Sequence, residues 1–307
     1  MIPHKSKKYR AILDLSFVLK VAGWDLPSVN EKKKETSPAE LLDHVRTVMP
    51  HIIKALLTAS LSEDTIHFSI LDIKDELWIM VCAVVEEWNL AYVLKNHPES
   101  STKLVILSDL QMRWTLSPCF LYVASETSRD IAESYAYESV VTILKHPLEW
   151  STISELLGLE NASMWGTNKC KKFLTILEEK PFRTMLEVFC EKFIRMAQTS
   201  DPAQFLHFSK SLLHGINSIF PPPQVSGHKG KDAISNKKLE SVEGQWAVRK
   251  EVLGWMADGA RWCIGLEWDR QSEIDAELHT IMRITKGVPL KRIKNWLDKY
   301  DMHHQQS

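Results

Sequence analysis

Apolar and polar positions alternate along the chain in two rhythms. Leu41, Val45, Val48, Ile52 and Leu56 recur at helical spacing, and Ser37 with Glu40 makes an S-x-x-E capping box around Pro38 at their start. Thr65 to Ile73 alternates with the period of a strand and runs into Asp72 and Asp75. Tyr9 to Val18 is strand-like, Trp78 to Leu94 reads as two strands bent at Glu86 and Glu87, and Ser100 to Ser108 begins a loop and a further strand. Ser117-Pro118 opens a helix of small and apolar residues that reaches about Tyr137. Another helix runs from Asp201, with Pro202 in its first turn, to about Phe220.

Between these two helices, residues 138 to 182 mix short helices with turns at Pro147, Gly158 and Gly166 and carry no usable motif. Leu186 to Ile194 (LEVFCEKFI) then reads as a hairpin. Its flanks suit strands, while Glu191 and Lys192 sit side by side with no Gly, Asn or Asp to ease a tight turn. The ordinary meaning of such a pair is a solvated hairpin tip. Pro221 to Lys238 is a loop by its Pro, Gly and Ser content, and two strand-like pieces surround Gly254 and Ile264. Ser272 with Asp275 caps a final helical pair, Glu273 to Thr285 and Pro289 to Tyr300, turned at Gly287. Helices interleaved with antiparallel-looking strands, without regular β-α-β spacing, indicate an α+β fold.

A chain of 307 residues can bury a large core and divides into two or three subdomains. The longest apolar run, Leu77 to Val85, is far too short to span a bilayer, so no membrane partner is expected. The basic N-terminus is followed by a segment broken by Asp14 and Lys20, unlike a secretory signal. Cys82, Cys119, Cys170, Cys190 and Cys263 are scattered without metal-ligand spacing, which favours an intracellular, reducing setting, nuclear or cytoplasmic. A formal net charge of -1 gives no global pull toward nucleic acid, leaving local clusters such as Lys5 to Arg10 and Lys32 to Lys34, which ordinarily form solvated faces. The segment SGHKGKD lacks the spacing of a phosphate-cradling loop.

Three pieces in this order resemble a reverse transcriptase, in particular the polymerase region of eukaryotic retroelement polyproteins. KKYRAILDLSF (Lys7 to Phe17) resembles the fingers motif. FSILDIKDELW (Phe68 to Trp78) is close to the family's LDIKDGFW, motif A, and LQMRWTLSPCF (Leu110 to Phe120) is close to motif B, LQMGW followed by Ser-Pro. SETSRDI (Ser125 to Ile131) continues the likeness, and Lys237 to Trp255 resembles the strand-and-turn region that grips the primer. Motif C, typically YVDDF, would fall on Phe189, Cys190, Glu191, Lys192 and Phe193.

The resemblance implies a right-hand polymerase fold with an antiparallel palm sheet, packed helices, and incomplete fingers and thumb. Residues 1 to 64 and 88 to 112 would be fingers-like, 65 to 87 and 113 to 268 palm, and 269 to 307 the start of thumb-like helices. The implied partners are an RNA or DNA primer-template and deoxynucleotides, and the implied cofactor is Mg2+. Asp72 becomes the motif A metal ligand, with Glu191 and Lys192 in the places of the two motif C aspartates. The implied nucleotide site comprises Arg10 on the triphosphate, Asp75 in a structural or ribose-facing place, Leu77 where the family has an aromatic that excludes a 2′-hydroxyl, and Gln111 and Ser117 of motif B. Lys5 or Lys7 would assist Arg10.

The departures from the family pattern carry chemical weight. Glutamate at 191 can ligate magnesium, but its extra methylene moves the oxygen, and a misplacement near ~1 Å can cost on the order of a hundredfold in rate. Lysine at 192 puts an ammonium where a cation should bind: about 4 kcal/mol of interaction with each carboxylate at ~4 Å and an effective dielectric near 20. Arg113 replaces a glycine whose missing side chain lets backbone approach the nucleotide. The sequence therefore implies a reverse transcriptase-like domain whose catalysis is impaired or lost. The alternatives are a non-catalytic nucleic-acid-binding module, with Lys286, Lys291, Arg292 and Lys294 on phosphates, or a decayed copy without function.

Overall fold

The computed structural model describes residues 2–3, 9–10, 15–21, 23–33, 39–60, 64–74, 76–94, 103–112, 114–137, 145–152, 183–222, 232–266 and 268–282. The architecture is mixed α and β with antiparallel sheets. Its first strands pair locally, β1 (Ile2–Pro3) with β2 (Tyr9–Arg10) and β3 (Leu19–Val21) with β4 (Trp24–Leu26). Helices α1 (Val29–Lys33) and α2 (Ala39–Thr58) follow.

The central sheet joins β5 (Ile66–Asp72) to the hairpin of β8 (Arg183–Phe189) and β9 (Lys192–Gln198) in the order β5-β9-β8. Between β5 and β8 come β6 (Tyr92–Leu94), β7 (Lys103–Val105) and helix α3 (Ser117–Tyr137). Alternation along β5 and β9 sends Leu71, Ile73, Phe193 and Ala197 to one face, where they pack with Leu121 of α3 and with Phe205 and Leu212 of α4 (Pro202–Ile219). The other face sends Ile66, Phe68, Ile194 and Met196 against Val48, Ile52 and Leu56 of α2. Asp201 caps α4, its carboxylate accepting from the Ala203 N–H at 2.9 Å, with Pro202 in the first turn.

The turn of the central hairpin is two residues long, Cys190 and Glu191. Cys190 takes φ +55°, a conformation that Gly or Asn adopts easily and that costs another side chain about 1–3 kcal/mol. Downstream, Ser235 caps a short helix α5 (Asn236–Leu239), so the end of the expected 221–238 loop is helical. Three strands then form a second sheet, β10 (Arg249–Val252), β11 (Trp255–Asp258) and β12 (Cys263–Gly265), where two were expected. Val252 and Ala257 complete the α2 side of the core. The β10–β11 turn places Leu253 and Gly254 at φ +50° and +82°, the two positive values that a tight hairpin turn requires.

Three further expectations change. Trp78 to Leu94 does not form two strands: 3-10 turns at Glu76–Ile79 and Glu87–Leu90 precede β6. Cys82 and Leu90 turn inward while Val81, Val84, Val85 and Trp88 face solvent, and ahead of β6 the strand pairing among the described residues is a single bridge from Val81 to Asp109. Tyr9 to Val18 is not one strand, since Leu15–Ser16 turns. The late helix, α6 (Trp268–Met282), begins before Ser272, because Arg270 donates to the Gly254 carbonyl at 2.8 Å and fastens its first turn to the β10–β11 hairpin. The capping box at Ser37, most of 138 to 182 and the helix expected at 289–300 lie outside the described residues. Among the described residues, no helix is long and apolar enough to cross a membrane.

Candidate functional site

Asp72 is the last residue of β5, and its partner across the ladder is Lys192, the first of β9. The Ile73 N–H donates to the Glu191 carbonyl at 3.0 Å, which seats the hairpin turn against the end of β5. Two segments more than a hundred residues apart in sequence thus meet side by side. Residues opposed in an antiparallel ladder share a face, with Cβ atoms about 4.5–5.5 Å apart. Asp72 and Lys192 therefore project together, onto the face that carries Ile70 and Ile194. There they line a cavity of about 1040 Å³ with Arg249, Glu251 and Arg270. Glu191 lies in the turn rather than in the cavity lining, so the hairpin presents to this cleft an ammonium and not a carboxylate.

An ammonium reaches Asp72 from downstream. Lys238 donates from Nζ to Asp72 Oδ2 at 2.6 Å. The backbone delivers it firmly: Lys74 N–H donates to the Ala233 carbonyl at 2.8 Å, Ile73 bridges to Ile234, and Leu239 of α5 is buried in the core. The Asp72 side chain is only 12% exposed, and its Oδ1 is buried with no hydrogen-bond partner among the described residues. Burial weakens competition from water and strengthens the pairing with Lys238.

The other cations of the cleft hold backbone or side chains of their own surroundings. Lys250 is buried and donates to the carbonyls of Val242 at 2.6 Å, Glu243 at 2.9 Å and Gln245. Arg249 lies 3.4 Å from Asp258, and Arg270 holds the Gly254 carbonyl.

Magnesium prefers an octahedron of oxygens and tolerates little distortion. Here the Lys238 ammonium is bonded to Oδ2 of Asp72 and Lys192 opposes Asp72 across the ladder, while the other carboxylates of the lining, Glu243 and Glu251, come from the 242–252 segment. That donor set does not suit a pair of divalent cations.

Of the remaining expected residues, Leu77, Gln111 and Ser117 are described and do not line this cleft. Leu77 is half-buried in the 3-10 turn Glu76–Ile79 and packs between the α3–α4 core and a third cluster built on Leu15, Cys82, Leu90 and Trp114. Gln111 and Ser117 bind each other: the Ser117 hydroxyl donates to the Gln111 carbonyl at 2.8 Å, and Gln111 Nε2 donates to the Asp109 carbonyl at 2.9 Å. They close the loop that starts α3. Arg10 contributes backbone to β2, while its side chain, Lys5, Lys7, Asp75, Arg113, Lys286, Lys291, Arg292 and Lys294 lie outside the described residues.

Models of known protein families and curated proteins give no match to this chain.

Sequence reasoning missed two features. One is Lys238, which stands in a quoted motif but whose partner lies 166 positions upstream. The other is Arg195, wholly buried in β9, which donates to the hydroxyls of Ser209 at 3.0 Å and of Ser69. Burial pulls this guanidinium down to about 9. Its signal in the sequence was a lone cation in the apolar run FIRMA.

Proposed function

We propose that this chain is a reverse transcriptase-like domain of retroelement origin, with a right-hand palm, in which template-directed nucleotidyl transfer has been lost. The observation that carries the reading is the meeting of Asp72 with the Cys190-Glu191-Lys192 turn. The segments that resemble motifs A and C lie side by side on an antiparallel sheet, with the helix that follows motif B packed behind it. In the family, two divalent cations activate the primer hydroxyl and steady the leaving pyrophosphate. In this chain Lys192 takes one ligand position, Glu191 sits in the turn, and Lys238 occupies Oδ2 of Asp72.

Primer extension on an RNA template, with magnesium and with manganese, tests the reading. The natural chain is expected to be silent. Extension by it, abolished by Asp72→Ala, would overturn the loss of catalysis.

A second reading, a non-catalytic module that clasps nucleic acid, is favoured by one observation: Lys192, Arg249 and Arg270 line the same cleft. Duplex binding of this kind weakens steeply with salt, because phosphate contacts release counterions. An affinity unchanged between low and moderate salt would exclude it.

A further inference from the structure

We infer that Lys238 is the resident cation of Asp72, a built-in latch that replaces a divalent ion with an ammonium carried by the chain itself. The idea rests on the reading of Asp72 as the palm carboxylate for its meaning, but its geometry stands alone. Three observations carry it. Nζ of Lys238 sits 2.6 Å from Oδ2 of Asp72, a short charge-assisted contact. Asp72 is largely withdrawn from water, so a counter-charge must come from a close neighbour. The lysine is presented by a capped helical turn pinned to β5 through Ala233, Ile234 and Leu239, not by a free loop.

The latch has a structural consequence as well. It ties the segment after residue 231 to the end of β5, beside the cleft that Asp72 lines with Lys192 and Arg270. A divalent cation could reach Oδ2 only by displacing Lys238. Replacing Lys192 by a carboxylate would therefore leave the site still blocked.

Manganese binding, read from the loss of the free-ion electron paramagnetic resonance signal, provides the test without any nucleotide. Lys192→Asp is compared with Lys192→Asp combined with Lys238→Met, and with Lys192→Asp combined with Lys238→Arg. The Met combination is expected to bind at least about tenfold more tightly, a difference near 1.4 kcal/mol. The Arg combination should behave like Lys192→Asp alone. Equal binding by all three variants, or no gain on removing Lys238, overturns the latch.

Amine acetylation of the natural chain, followed residue by residue by mass spectrometry, keeps the test open should a variant fail to fold. Lys238 is expected to label slowly with or without manganese, and several-fold faster in Asp72→Asn. Labelling that manganese raises to the Asp72→Asn level would show the ion displacing the lysine, and the latch would be refuted. Neither readout depends on polymerase activity, so its failure is separable from failure of the proposed function.

Discussion

The guanidinium of Arg195 lies over the indole of Trp246, its central carbon 4.8 Å from the ring centroid, with both side chains sealed from solvent. Among the described residues no carboxylate is bonded to it: it meets Ser209, Ser69, the Gly244 carbonyl and the ring, and Nε has no acceptor. A buried charge held by neutral groups alone is costly.

Arg195→Met is therefore expected to stabilise the fold, by about 1–4 kcal/mol, the range seen when buried ionic groups give way to apolar ones. The groups left behind keep partners: Ser69 still donates to the Gly244 carbonyl at 2.7 Å, and Ser209 still accepts from Thr152 and Trp246. The gain should depend on pH. The folded state holds this proton less tightly than the unfolded chain, so the penalty is full below about 9 and eases as pH rises above it. Urea unfolding of both proteins at neutral pH and above pH 9 checks this; a variant less stable than the natural chain at neutral pH contradicts it.

Lys250 shows the opposite economy. Its ammonium donates to three carbonyls in the turn from Val242 to Gln245; Lys250→Met would take this donor from the buried Gln245 carbonyl, while Glu243 keeps the Ile70 N–H and Val242 faces solvent. The expected loss is about 1–3 kcal/mol, the cost of orphaning one buried group. A denaturation midpoint within error of the natural chain's would show that water replaces the ammonium.

Local rules made much of this fold legible. Ser117-Pro118 marks the start of α3, Asp201-Pro202 that of α4, and the alternation up to Ile73 contains β5, because capping and periodicity act within a few residues. Segment 78–94 misled because Val81, Val84 and Val85 point outward, and apolar residues in turns mimic a strand's composition. The site was legible only in part. Asp72 and Lys192 were recognisable as candidates, but their shared face is a property of the ladder register, and the Lys238 contact is a tertiary one that no local pattern encodes. Ser117 shows the reverse case: a residue singled out for a nucleotide site is engaged in closing the loop before its own helix.

Gly215 sets how closely α3 and α4 approach. A Cβ there would stand 2.6 Å from the Ser128 carbonyl oxygen and 2.7 Å from the Ala132 Cβ, contacts that backbone cannot relieve by a rotamer change. Gly215→Ala should destabilise by about 1–3 kcal/mol, the usual cost of overpacking. Gly265→Ala, facing open space, is the control and should leave the midpoint unchanged within error. Equal stability of the two variants would mean that the helices separate freely.

His146 makes the fold sensitive to mild acid. It is 7% exposed, accepts from the Leu148 N–H at Nδ1, packs edge-on against His214 at 5.0 Å, and contacts Asn217 at 2.9 Å. Glu149, which also faces this corner, is engaged with the His146 backbone N–H at 2.9 Å. Burial, and then the neighbouring His214, lower the imidazole to about 4 from its ordinary 6.5. The unfolded chain thus takes up a proton in a window where the folded one does not. Stability is complete above the unfolded value and falls as pH drops from about 6.5 toward 4, by up to about 3 kcal/mol from this group. His146→Asn retains an acceptor for Leu148 but cannot titrate, so its unfolding free energy should fall less than the natural chain's between pH 7 and pH 5. Parallel losses in the two proteins would assign the acid sensitivity to other groups.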